Sequence, residues 1–277
     1  MKKQIIPVAV VIVILLSGLA LWFGLRGNEG LGGNDGANIT VFAPAGTEII
    51  AVNTDGVDDE DSSEGSSDSD PRSFSVPDSG ELGIELEPGS YQLLANRGEE
   101  YYPWKKELEV SEDTNTEFYP ILFPTEAELE EVDSAEVEEA FSTPASLPRE
   151  QSPLANNSES INLYVDADTI FAAWDGEVDN LPEFLCPGEN VEECRVQPVF
   201  SFQSGSVENL DFFGEYDQML ILDRGSVIAA LEIDRRGTQN YQPVYVDPTP
   251  ATAPAFRVVD GEIYISDGGE ISRVVLN

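Results

Sequence analysis

The sequence predicts a mainly β protein: an N-terminal single transmembrane helix, an antiparallel β-sandwich, then a truncated propeller-like or open β-meander domain. Three observations predict it. Ile5 to Leu25 holds 21 residues without a charge. Beyond it, short runs rich in β-branched and aromatic residues are punctuated by Gly, Pro, Asn and Asp, the pattern of strands and turns. In the last part the breaks are DG, GE, RG, GT, DG and GG, the chemistry of hairpins.

The apolar run comes first. At about 1.5 Å per residue it is roughly 30 Å long as a helix, enough to cross a hydrocarbon core. A span must satisfy its own backbone hydrogen bonds, which requires a helix. Pro7 falls in the first turn, where a missing N–H costs little, and Trp22 falls near the far end, where an indole suits the interface. Lys2 and Lys3 precede the run, Arg26 follows it, and no acid appears before Glu29. Positive-inside logic then puts the N-terminus in the cytoplasm and residues 27–277 outside. Residues 1–26 read as a cytoplasmic stub and signal anchor in the cell membrane. The rival is a cleaved signal peptide, with Ser17 to Ala20 as a poor cleavage site; such peptides carry apolar cores of about 7–15 residues. No GxxxG lies in the run, so no helix dimer is inferred.

Charge bounds the partners. All 53 acidic residues and 11 of the 14 basic ones lie beyond Arg26, leaving the exported part 42 charges negative. Such a surface repels nucleic acid and anionic lipid heads, so neither is an expected partner. Lysine is scarce outside, with only Lys105 and Lys106. The acidity reads as solubility, or as adaptation to a salty or cation-rich setting, and self-repulsion predicts a melting temperature that rises with salt. There is no histidine, which removes the usual general base and the commonest zinc ligand. Cys186 and Cys194 close the short loop CPGENVEEC, with Pro187 and Gly188 as turn formers. In an oxidising compartment the pair reads as a disulfide, with two free thiols as the alternative.

Residues 27–37 are Gly- and Asn-rich, a flexible spacer. Residues 38–124 hold about seven strand-like runs, from ITVFA and TEIIAV to SYQLLAN, WKKELEV and TEFYPILFP. That spacing suits an antiparallel sandwich. Within it, residues 54–70 carry eight acids and almost nothing apolar, the composition of a mobile loop.

The segment ITVFAPAGTEIIAVNTDG, followed by LEPGSYQLLANRGEEYYPWKKELEV and FYPILFP, resembles a PEGA domain. Pro88, Gly89, Tyr91 and Trp104 fit the family pattern; the namesake tetrapeptide is replaced by PAGT, and its Gly-Tyr pair is stretched to Gly98 through Tyr101. The resemblance covers residues 38–124. It implies a small β-sandwich outside a bacterial membrane that binds or packs, with no enzymatic activity.

Residues 125–160 read as an acidic, then Pro- and Ser-rich linker with a short helix. Thr125 and Glu128 have the spacing of a capping box. Residues 161–277 return to strands, in groups near 162–202, 208–246 and 255–276. A period near 40 residues suggests propeller blades, and the segments from Gln218 to Val246 and from Phe256 to Leu276 resemble the propeller-like part that follows PEGA modules in some envelope proteins. Three blades are too few to close a ring, which leaves a truncated propeller or open meander, with an ordinary sandwich as the alternative. Dimerisation would cover the sheet edges.

Asp166, Asp168 and Asp175, with Glu177, invite a calcium reading, but EF-hand spacing is not met: Ile170 and Phe171 stand where a ligand and the Gly belong. Asp55, Asp58, Asp59 and Asp61 concentrate oxygens on the acidic loop. No cofactor and no ordered metal is expected; both groups of acids read as solvated surface, with calcium as the alternative. Paired carboxylates can run glycoside hydrolysis, but with 53 acids chance pairs are inevitable. Tyr101, Tyr102 and Trp104 are candidates to meet a sugar or partner, or else to fill their own core. The resulting expectation is a membrane-anchored, extracytoplasmic binding or scaffolding protein that contacts an envelope protein or wall polymer. The alternatives are a carbohydrate-active hydrolase and a sensor ectodomain.

Overall fold

The computed structural model describes residues 37–55, 71–132, 134–156, 158, 160–177, 180–186, 193–203, 207–214, 216–234, 236–247 and 253–276. The expected anchor at residues 5–25, nearly all of the spacer, and residues 56–70 of the acidic loop lie outside them. Among the described residues no helix is long and apolar enough to cross a membrane. Ala37–Asn277 is a unit separate from Met1–Gly36, and it holds every strand described below.

Seven strands come first: β1 (Ala37–Phe42), β2 (Glu48–Asn53), β3 (Arg72–Ser75), β4 (Glu81–Leu86), β5 (Gly89–Asn96), β6 (Trp104–Val110) and β7 (Asn115–Phe118). They form two sheets, ordered β4-β1-β7 and β3-β2-β5-β6. Period-two alternation sends Ile39, Val41, Ile84 and Leu86 of the first sheet into one core with Ile49, Ala51, Leu93 and Trp104 of the second. One pair departs from the antiparallel expectation: β7 runs parallel to β1, with Asn38–Val41 opposite Asn115–Phe118. The turn after β6 carries the chain from one sheet to the other instead of folding it back as a hairpin. A crossing of that kind leaves strand direction free.

The remaining elements are β8 (Glu128–Glu131), α1 (Ala135–Ser142), β9 (Leu154–Ala155), β10 (Ile161–Asp166), β11 (Thr169–Trp174), β12 (Val196–Ser201), β13 (Leu210–Phe213), β14 (Tyr216–Arg224), β15 (Val227–Glu232), β16 (Tyr241–Val246), β17 (Ala255–Val259), β18 (Glu262–Asp267) and β19 (Glu270–Val275). They make three four-stranded antiparallel sheets, ordered β12-β11-β10-β9, β13-β14-β15-β16 and β17-β18-β19-β8. The middle sheet is buried on both faces. Leu220, Leu222, Leu231 and Ile233 join the core of the first sheet. Met219, Ile221, Ile228 and Ala230 join that of the third. This is why its central strands, β14 and β15, carry unbroken apolar runs.

The stretch at 125–160 supplies the fourth strand of two of these sheets. β9 completes the first, and β8 pairs with β19, the last strand of the chain. The capping box expected at Thr125 does not form: the Thr125 hydroxyl donates to the Glu100 carbonyl, 3.2 Å away, and the helix begins after Ser134. Acids crowded on one helix face would repel one another. Spread along β8, Glu130 instead meets Arg273, which also reaches Glu262 at 2.7 Å. Val137 anchors α1, and Arg257 donates to the carbonyls of Ala140 and Thr143 at its C-terminal end, where a cation complements unpaired carbonyls.

Candidate functional site

The sandwich meets the middle sheet at β6. An edge strand offers unpaired backbone groups that must be covered. Here the connection between β15 and β16 covers them. The side-chain amide of Asn240 accepts from the Lys105 N–H at 2.9 Å and donates to the Lys105 carbonyl at 3.0 Å, as a neighbouring strand would. Gly237 then passes so close that a Cβ would stand 2.0 Å from the Glu107 carbonyl oxygen, and its φ is +64°. Only glycine meets both demands.

Beneath this seam lies a buried ionic cluster. Trp104 and Lys106 share the inward face of β6 and are closed to solvent. The Lys106 ammonium lies 3.1 Å from Glu232 and 3.5 Å from Asp234, and donates to the Asp234 carbonyl at 2.9 Å. The Trp104 indole N–H donates to Glu232 Oε1 at 3.2 Å, and Asn240 donates to Glu232 Oε2 at 2.6 Å. Arg236 grips Asp234 through Nε and Nη2, spans to Thr116 and Glu117 of β7, and lies 4.4 Å over the Phe118 ring. Two cations thus face two buried carboxylates. Burial pushes the Glu232 carboxyl up, while Lys106 and Asn240 pull it down.

A groove of about 1100 Å³ opens beside the seam. Asp55, Tyr91, Glu109, Asp113, Glu183 and Arg236 are among its walls. Glu183 reaches Arg236 at 3.1 Å and accepts from the Thr116 hydroxyl at 2.7 Å. Asp55 accepts from the Ser90 N–H at 3.1 Å. Among the described residues the lining mixes carboxylates, hydroxyls and one guanidinium, the chemistry that grips sugars or basic peptides through hydrogen bonds.

The structure separates the residues that the sequence singles out. Of the three candidate contact aromatics, Trp104 is 1% exposed and belongs to the core. Tyr102 is half-buried against the third sheet's core. Tyr101, also half-buried, lies under Arg97, 5.0 Å from its ring centre. Asp166 and Asp168 flank the β10–β11 turn, while Asp175 follows β11 at the opposite end of that hairpin. Six residues of strand, roughly 20 Å, lie between. Among the described residues no three His, Cys, Asp or Glu side chains converge to hold a metal. Asp58, Asp59 and Asp61 lie outside the described residues. Cys186 and Cys194 form a disulfide, with Cα atoms 5.1 Å apart. Asp211, on β13, is pushed up to about 6 by burial, against the Phe212 N–H and Arg257, which pull it down.

The cluster of Lys106, Glu232, Asp234 and Arg236 is not among the residues that the sequence singles out. A signal for it exists: Lys106 falls on the same alternation as Trp104 and Val110, so a charge sits on an apolar face. Compared with known proteins, the chain matches no protein-family model and no curated protein.

Proposed function

We propose that this chain is a membrane-anchored, extracytoplasmic binding or scaffolding protein of a bacterial cell envelope, and that it works without catalysis. In this reading the apolar run at residues 5–25 fixes the base. The sandwich is the PEGA-like module, and the three four-stranded sheets are a truncated, propeller-like second module. The observation that carries the reading is the ionic seam around Lys106 with the groove beside it. Two sheet-built modules fused through buried charges present one preformed surface, and preformed surfaces lower the entropic cost of binding. The Cys186–Cys194 disulfide supports an oxidising compartment.

The test is photo-crosslinking in cells. A photoreactive residue replaces Asp113 in the groove or, in a second strain, Glu270 on β19. The proposal predicts a discrete adduct with an envelope protein or wall polymer from position 113 and none from 270. No adduct at 113, together with turnover of a wall glycan by the purified protein, would overturn it.

A further inference from the structure

A second cavity, of about 590 Å³, lies where the β13–β14 and β17–β18 turns converge on the segment after β7. Its size falls within the range of small-molecule sites. The two turns are built to meet. Gly214 and Gly261 have φ of +59° and +81°, and a Cβ on either would stand 3.3–3.4 Å from the other's Cα. Tyr119 and Phe184 supply aromatic surface and Met219 an apolar floor. Asp217, Asp260 and Glu232 supply three carboxylates, and among the described residues no lysine or arginine is part of the lining.

Glu232 links this cavity to the ionic seam. It is 2% exposed, and among the described residues its Oε1 accepts from Trp104 while Oε2 takes Lys106 and Asn240. Lys106 already faces that carboxylate, so the cavity's own negative charge rests on Asp217 and Asp260. Aromatic faces attract cations, and more strongly where water is excluded. An apolar wall with aromatic rings and carboxylates selects against anions through unpaired negative charge.

We propose that this cavity binds a small organic cation, an ammonium group on an apolar or aromatic body. The proposal rests on the cavity alone and not on where the protein resides. Calorimetric titration of the full chain, at salt high enough to screen loose association, tests it with three probes: benzylamine, neutral benzyl alcohol and anionic benzoate. Benzylamine is expected to bind one to one with Kd below about 1 mM, benzyl alcohol at least tenfold more weakly, and benzoate not at all. Asp260→Asn, an exposed and conservative change, should weaken benzylamine at least fivefold, whereas Glu270→Gln on β19 should leave it unchanged. Equal affinity for amine and alcohol, absence of benzylamine binding, or binding undiminished in both Asp260→Asn and Asp217→Asn would overturn the proposal.

Discussion

Lys106 Nζ lies 3.1 Å from Glu232 Oε2, with the two side chains 0% and 2% exposed. One residue belongs to the sandwich and the other to the middle sheet, far apart in the chain. A buried pair of this kind adds little net stability against an apolar replacement, but removing one partner strands a charge. Lys106→Met should therefore cost about 3–5 kcal/mol in urea unfolding. Adding Glu232→Gln should return part of that loss. A Lys106→Met protein as stable as the parent would contradict the cluster's geometry.

The strands differ in how much their sequences disclose. β4 and β10 alternate apolar and polar residues and are legible directly, as are the unbroken runs of β11, β14 and β15. β8 is not: Glu128–Glu131 is exposed at every position, so no periodicity marks it, and its partner strand lies at the far end of the chain. β9 is two residues long. The parallel β1–β7 pair depends on a crossing between sheets that local patterns do not encode. At the candidate site, Lys106 betrays itself by sitting on an apolar face. Asp234 and Arg236 lie in the β15–β16 connection, where charge is ordinary, and only tertiary contact shows that Asp234 is fully buried.

Gly237 gives an independent probe of the seam. Alanine there meets a positive φ and the Glu107 backbone together. Gly237→Ala should destabilise by about 2–4 kcal/mol, combining left-handed strain with a backbone clash. Gly225→Ala has a similar φ, +65°, and nothing within 4 Å, so it should cost only about 1 kcal/mol. Thermal unfolding of the two variants side by side checks the contrast; equal losses would mean that Gly237 does not touch β6.

The Cys186–Cys194 bridge closes a short loop, with a sequence separation of 8. Chain-entropy arguments give a stabilisation of roughly 2–3 kcal/mol for such a loop. Urea unfolding with and without a phosphine reductant should show that loss, and the double Cys→Ser variant should reproduce it and no longer respond to reductant.

Asp211 ties stability to pH. Its folded carboxyl titrates at about 6, above the ordinary value of 3.8. Folding therefore takes up a proton between about pH 4 and 6. The stability this contributes is present in full below about pH 4 and is lost as pH rises through 6. Asp211→Asn mimics the protonated form at every pH. Relative to the parent it should gain roughly 1–3 kcal/mol more at pH 7.5 than at pH 4. An identical difference at both values, measured by chemical unfolding, would rule out the shift.

The most direct measurement of the proposed display is protease shaving of intact cells or right-side-out spheroplasts, with released peptides identified by mass spectrometry. Peptides from residues 37–277 should appear while a cytoplasmic marker stays whole, and Cys186 and Cys194 should be recovered as a disulfide. Protection of that whole region until lysis, with both thiols reduced, would contradict the account.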